Sequence, residues 1–149
     1  MKPRYVISAC LCGLPTRYDG RSKSVSPAIQ SLIDSGAVIP VCPECLGGLP
    51  TPRPPAEICG GRVVNTQGVD VTEAYHNGAA QTLALCREHG IRHAILKENS
   101  PSCGCHFVYD GSFSRRLVSG RGVTAALLEE HGITVENEEN WQQKPGASG

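Results

Sequence analysis

The chain has no long hydrophobic run and no surplus of either charge, and each absence removes a class of function. No apolar stretch approaches the length needed to cross a bilayer, so a membrane-spanning helix is excluded. Fourteen lysines and arginines balance fourteen aspartates and glutamates, and no basic cluster forms a stripe. Neither a long nucleic acid nor a membrane surface is therefore expected as a partner, and the ligand should be small. The opening Met1-Lys2-Pro3-Arg4 runs directly into a strand pattern, without the longer apolar region and small-residue cleavage site of a signal peptide. A cytoplasmic protein is expected. With 149 residues it is long enough for one domain with a real core.

What the chain does have is cysteine, eight residues of it. In a reduced compartment such a number serves metal or redox chemistry more often than disulfide bridges. The surrounding pattern reads as α/β, a single Rossmann-like domain with a mainly parallel central sheet flanked by helices. Tyr5 to Ala9 is a short β-branched run, too short for a helix. Ser26-Pro27 resembles an N-cap followed by proline, with Ile29, Leu32 and Ile33 at helical spacing before Gly36. Ala37 to Val41 completes a βαβ unit, whose crossover implies parallel strands.

From Cys42 to Gly61, proline and glycine are dense enough to predict a long loop without regular structure, of the functional kind. Arg62–Val64 and Val69–Val71 flank a turn and suggest a small hairpin at the sheet edge. A long helix is expected from Thr72 to His89, closed by Gly90, with Cys86 in the core. A third strand follows over His93–Lys97, then an irregular hairpin around Asp110-Gly111, a helix over Val123–Glu130 and a last strand over Ile133–Val135. The domain spans residues 1–138, and residues 139–149, with little to bury, form a flexible tail.

On this reading Cys10, Cys42 and Cys103 each fall one or a few residues beyond the end of a strand. Ligands of open α/β sheets bind in the crevice at the carboxyl ends of the strands, so these three thiols should converge. Six of the eight cysteines form close pairs: Cys10/Cys12, Cys42/Cys45 and Cys103/Cys105. Cys42-x-x-Cys45 could be one knuckle of a tetrahedral zinc site, although no second such pair exists. Three thiolates could instead hold an iron-sulfur cluster with one iron open to substrate. Cys59 and Cys86, each alone, read as small buried residues. The histidines, His76, His89, His93, His106 and His131, show no pairing that asks for a metal and read as surface.

The segments Ile7-Ser8-Ala9-Cys10-Leu11-Cys12-Gly13, Arg17-Tyr18-Asp19-Gly20, Val41-Cys42-Pro43-Glu44, Gly47-Gly48-Leu49, Pro52-Arg53, Gly68-Val69-Asp70-Val71-Thr72, Leu96-Lys97-Glu98, Ser100-Pro101-Ser102-Cys103-Gly104 and Tyr109-Asp110-Gly111-Ser112-Phe113 resemble the small thiouracil desulfidases. The resemblance implies a [4Fe-4S] cluster held by Cys10, Cys42 and Cys103, with one open iron, and non-redox removal of sulfur from 4-thiouracil or 2-thiouracil to give uracil and hydrosulfide. Carried over by motif, Glu44 and Ser100 are catalytic. Many members have a cysteine where this chain has Thr16, so no role of that extra thiol carries over here.

A soft thiocarbonyl sulfur should prefer the open iron of a thiolate-bound cluster, which then acts as a Lewis acid. Glu44 would take the proton of the attacking water, and Ser100 would orient the water or relay a proton. The bland readings are a turn cap for Glu44 and a turn residue for Ser100. Arg17, Tyr18, Asp19 and Arg53 could contact the pyrimidine or a phosphate, or serve only as turn residues. Two rival functions stand beside the desulfidase of free bases. One is desulfuration of thiouridine in nucleosides or RNA, disfavoured for RNA by the missing basic stripe. The other is a non-catalytic zinc-binding module built on Cys42, Cys45, Cys103 and Cys105.

Overall fold

Short apolar runs such as Tyr5–Ser8 and His93–Leu96 become strands here with nearly every residue buried, and a turn follows each one. A computed structural model describes residues 3–14, 20, 25–98, 102–104, 107–114, 116–138 and 141. Its elements in chain order are β1 (Tyr5–Ser8), a 3-10 turn (Ala9–Cys12), α1 (Pro27–Asp34), β2 (Val38–Val41), α2 (Pro43–Leu46), β3 (Ala56–Cys59), β4 (Arg62–Asn65), α3 (Thr72–His89), β5 (His93–Leu96), β6 (Phe107–Tyr109), β7 (Leu117–Ser119), α4 (Val123–Glu130) and β8 (Thr134–Asn137). The expected fold class is observed. β2, β1, β5 and β8 lie side by side in that order, every neighbouring pair parallel.

Strand alternation divides the core in two. Val6, Ala94 and Leu96 face the layer of α3 and α4, where they meet Leu83, Cys86, Ala125 and Leu128. Tyr5, Ile7 and Ile95 face the other way, onto Ile29 of α1, Leu11 and Trp141. A sheet covered on both faces is the usual environment of parallel strands. The order also reverses at β1: the chain passes from β1 outward to β2, then returns to place β5 on β1's other side. Such a reversal opens a crevice at the carboxyl ends of β1 and β5, where α/β proteins bind ligands.

Most expected elements fall where periodicity and caps put them. Ser26 accepts a hydrogen bond from the Ile29 N–H at 3.3 Å, with Pro27 opening α1. The segment after Cys42 differs from expectation. Pro43 has the fixed φ of a first helical residue, so Pro43–Leu46 forms a helical turn, and Ala56–Cys59 pairs antiparallel with Arg62–Asn65 across Gly60-Gly61. The β3–β4 hairpin is a separate two-stranded sheet rather than an edge of the central one, and the expected hairpin of Arg62–Val64 with Val69–Val71 is reduced to a single bridge between Val64 and Asp70.

Two residues are more buried than the sequence suggests. Trp141, which lies in the stretch read as a mobile tail, is buried in the cluster that contains Tyr5 and Ile7. His93 is half-buried: it opens β5, its ring centre lies 5.1 Å from that of Tyr5, and it bonds to the buried Glu136 carboxylate of β8. Among the described residues, no helix is long and apolar enough to cross a membrane.

Candidate metal centre

Cys10, Cys42 and Cys103 leave the carboxyl ends of three adjacent strands. Cys10 lies in the 3-10 turn that continues β1 and is buried beside Leu11. Cys42 follows β2 directly and caps α2 from an extended conformation (φ −126°, ψ 98°). Cys103 lies beyond β5 in a turn and is 3% exposed. The thiols are close enough for the Cys103 sulfur to feel charge on both Cys10 and Cys42. All three therefore lie at the same end of the parallel sheet, beyond strands that neighbour one another.

Glu44 and Arg53 join them. Glu44 occupies the first turn of α2, two residues past Cys42, and its Oε2 receives the Arg53 guanidinium at 3.4 Å. Arg53 is nearly enclosed, its side chain 6% exposed, and it also donates to Thr51 Oγ1 at 3.0 Å and to the Pro50 carbonyl at 3.2 Å. Glu44 is therefore more than a turn cap. Burial opposes the Arg53 charge, but Glu44, Cys42, Cys45 and Tyr75 more than offset it and hold the guanidinium above its ordinary pKa.

The thiols respond oppositely. Burial pushes Cys42 up to about 12, with the Glu44 charge adding to the rise. Cys103 is driven well above the usual thiol range, first by burial and then by Glu44. Burial and Cys10 together take Cys12 to about 11. These donors are soft, buried and crowded by negative charge, so their thiolate forms need a cationic partner. A metal group supplies one, and thiolates suit iron-sulfur or zinc chemistry. Among the described residues, no three His, Cys, Asp or Glu side chains close on a point as a single ion requires. Thiolates around a polynuclear cluster bind separate irons and need no such point.

Backbone contacts fix the two outer cysteine loops. α2 lies against α3 where both are glycine: a Cβ on Gly47 would strike the Ala74 carbonyl, and one on Gly78 would strike that of Pro43. The Cys103 turn is held by the start of α4, where the Thr124 N–H donates to the Ser102 carbonyl at 2.8 Å and the two hydroxyls lie 2.7 Å apart. Gly122 is needed there too, because a Cβ would collide with the backbone at Ser102.

Ser100, Arg17, Tyr18 and Asp19 lie outside the described residues, as does Cys105 of the zinc alternative. Cys45 is exposed, 3.4 Å from Thr51 Oγ1. Cys86 is fully buried as expected, whereas Cys59 is half-buried with its sulfur 3.3 Å from the Gly111 carbonyl. Sequence reasoning missed Tyr75. This residue projects from the first turn of α3, is 3% exposed, and its hydroxyl is made a weaker acid by burial and by the Glu44 charge. Gly78, three residues further on the same helix face, was the available signal, since a glycine inside a helix marks close approach of another backbone.

A family model described as 2-thiouracil desulfurase matches residues 5–140. The uncharacterized protein YbbK of Bacillus subtilis (strain 168) is 48% identical over 147 residues, covering 91% of this chain and 97% of that protein. A solved structure titled as the [4Fe-4S]-dependent thiouracil desulfidase TudS superposes with a TM-score of 0.89 at 50% identity, covering 93% of this chain and 92% of the other.

Proposed function

The chain belongs to the 2-thiouracil desulfurase family, and from that membership we propose that it removes sulfur from a free thiolated pyrimidine, 4-thiouracil or 2-thiouracil, without net electron transfer. Water is consumed, a carbonyl replaces the thiocarbonyl, and uracil and hydrosulfide leave. The observation that supports the reading is the position of Cys10, Cys42 and Cys103 beyond the ends of three neighbouring parallel strands whose order reverses at β1, with Glu44 near enough to act on the Cys103 thiol. Cys10, Cys42 and Cys103 would hold a [4Fe-4S] cluster with one iron lacking a protein ligand. When bound, that cluster supplies a soft Lewis acid suited to a thiocarbonyl sulfur.

The remaining work falls to the chain's own side chains. Glu44 takes the proton of the attacking water on a carboxylate oxygen. Arg53, engaged with Oε2, holds that carboxylate in place and favours its charged form. Ser100, assigned by its Ser-Pro-Ser-Cys motif, orients the water or relays the proton. Burial of Tyr75 and Cys103 beside Glu44 keeps bulk water from the reacting carbon.

Anaerobic reconstitution with iron and sulfide, followed by incubation with 4-thiouracil and with 2-thiouracil, tests the proposal. Uracil and hydrosulfide should appear in equal amounts with at least one substrate. One equivalent of zinc, no visible thiolate-to-iron absorbance and no product from either would reject it in favour of the zinc module.

A further inference from the structure

Ser8 ends β1 and stands at the N-cap of the 3-10 turn that carries Cys10, yet its side chain makes no capping bond. A serine in that position ordinarily accepts from an N–H two or three residues on. Here Oγ instead accepts the backbone N–H of Lys97, the residue after β5, at 2.9 Å. Parallel pairing explains the reach: Ile7 is level with Ile95, so the end of β1 lies beside the end of β5. An oxygen that accepts from an N–H has its own proton left to donate, and the partner in reach is the sulfur of Cys103. Both residues are 3% exposed, so water does not compete for that proton.

A hydrogen bond donated to a ligating sulfur is one of the means by which a protein tunes an iron-sulfur centre. We propose that Ser8 is a positioning residue for the metal centre: anchored by the Lys97 N–H, it donates its hydroxyl to the Cys103 sulfur and draws electron density from that thiolate. The proposal rests on the reading in which Cys103 is a cluster ligand. Its consequence is a cluster with a higher reduction potential and a more acidic open iron than the same three cysteines would give without the bond. The motif Ile-Ser-Ala-Cys then supplies two parts of the centre, a ligand and the donor that adjusts a second ligand from another strand.

The test compares wild type with Ser8→Ala after anaerobic reconstitution, measuring iron and sulfide content before anything else. Both proteins should carry a full cluster. The variant's midpoint potential should shift to a more negative value, and its iron-thiolate stretching bands in resonance Raman spectra should lose part of their sensitivity to deuterium oxide. Turnover should fall several-fold, and Ser8→Thr, which keeps the hydroxyl, should restore potential and isotope effect. A purely structural role for the Lys97 bond would leave the isotope effect unchanged. A full cluster in Ser8→Ala with wild-type potential and wild-type isotope sensitivity would overturn the proposal. If Ser8→Ala takes up no cluster, Ser8→Thr decides: a wild-type potential supports the donor role, and a missing or shifted cluster overturns it. A wild-type protein that binds no iron would overturn the metal centre itself, and Ser8's role with it.

Discussion

At the scale of single residues, Cys10, Cys42 and Cys103 are distinguished from the other described cysteines by where they leave the sheet, and that much was legible from strand ends alone. Substituting any of the three by alanine should leave the far-ultraviolet circular dichroism unchanged and reduce bound iron after reconstitution to a small fraction of wild type. A full cluster in any one variant would remove that residue from the ligand set. Glu44 could be read by motif, but its partner could not, because Arg53 is nine residues away across a loop rich in proline. Arg53 had suggested substrate contact or a turn role; the structure adds that it sits enclosed against Glu44 and Thr51. Arg53→Ala leaves Glu44 without its cation, and pairs to a buried charge are costly to break. Its kcat should drop by roughly 10–100-fold while iron content stays near wild type, Glu44→Gln should lose more, and the double variant should lose no more than Glu44→Gln alone. Additive losses would show that the two residues act independently.

Among the elements, the sheet strands, α1, α3 and α4 were legible because each couples a clear period to a cap or stop, as Ser26-Pro27 does for α1 and Gly90 for α3. The four-residue α2 was not, since one helical turn has no period to detect and its sequence is surrounded by residues that break helices. What shapes α2 is tertiary: Gly47 and Gly78 let its backbone lie directly on α3. Gly78→Ala would place a methyl group against the Pro43 carbonyl, and neither partner is a flexible side chain that can yield. In an isolated helix the same change would be favourable by about 1 kcal/mol. Here it should destabilise by roughly 1–3 kcal/mol, as overpacking does. Because the displaced segment carries Cys42 and Glu44, cluster content and turnover should fall more steeply than the melting temperature. Ala80→Gly, on the exposed side of α3, is the control: it should cost about 1 kcal/mol and leave the iron in place.

For the whole molecule, the two faces of the sheet are closed by different means, and each closure has its own signature. The α3–α4 face buries Cys86, whose thiol burial pushes from 9.0 up to about 11. The folded state then holds a proton that the unfolded chain releases above pH 9, so Cys86's contribution to stability is intact below the unfolded value and is lost as pH rises toward about 11. Denaturant titrations from pH 8 to 11 should therefore show a shallower decline for Cys86→Ala than for wild type. The opposite face is closed by α1 and by Trp141, and the indole could not be placed from sequence because nothing local in a polar, proline-containing ending specifies a return to the sheet. Trp141 is the chain's one tryptophan, 9% exposed and packed with Tyr5 and Ile7. Its removal leaves apolar surface of β1 uncovered, so Trp141→Ala should cost about 3 kcal/mol, which for a chain of this size lowers Tm by roughly 6–12 °C. Trp141→Phe should recover more than half of that loss. If the indole belongs to the cooperative core, the red shift of its emission on unfolding should coincide with the loss of circular dichroism across a denaturant series. An emission change that clearly precedes it would mean that this stretch leaves the sheet before the domain unfolds, and Trp141→Ala would then have little effect on Tm.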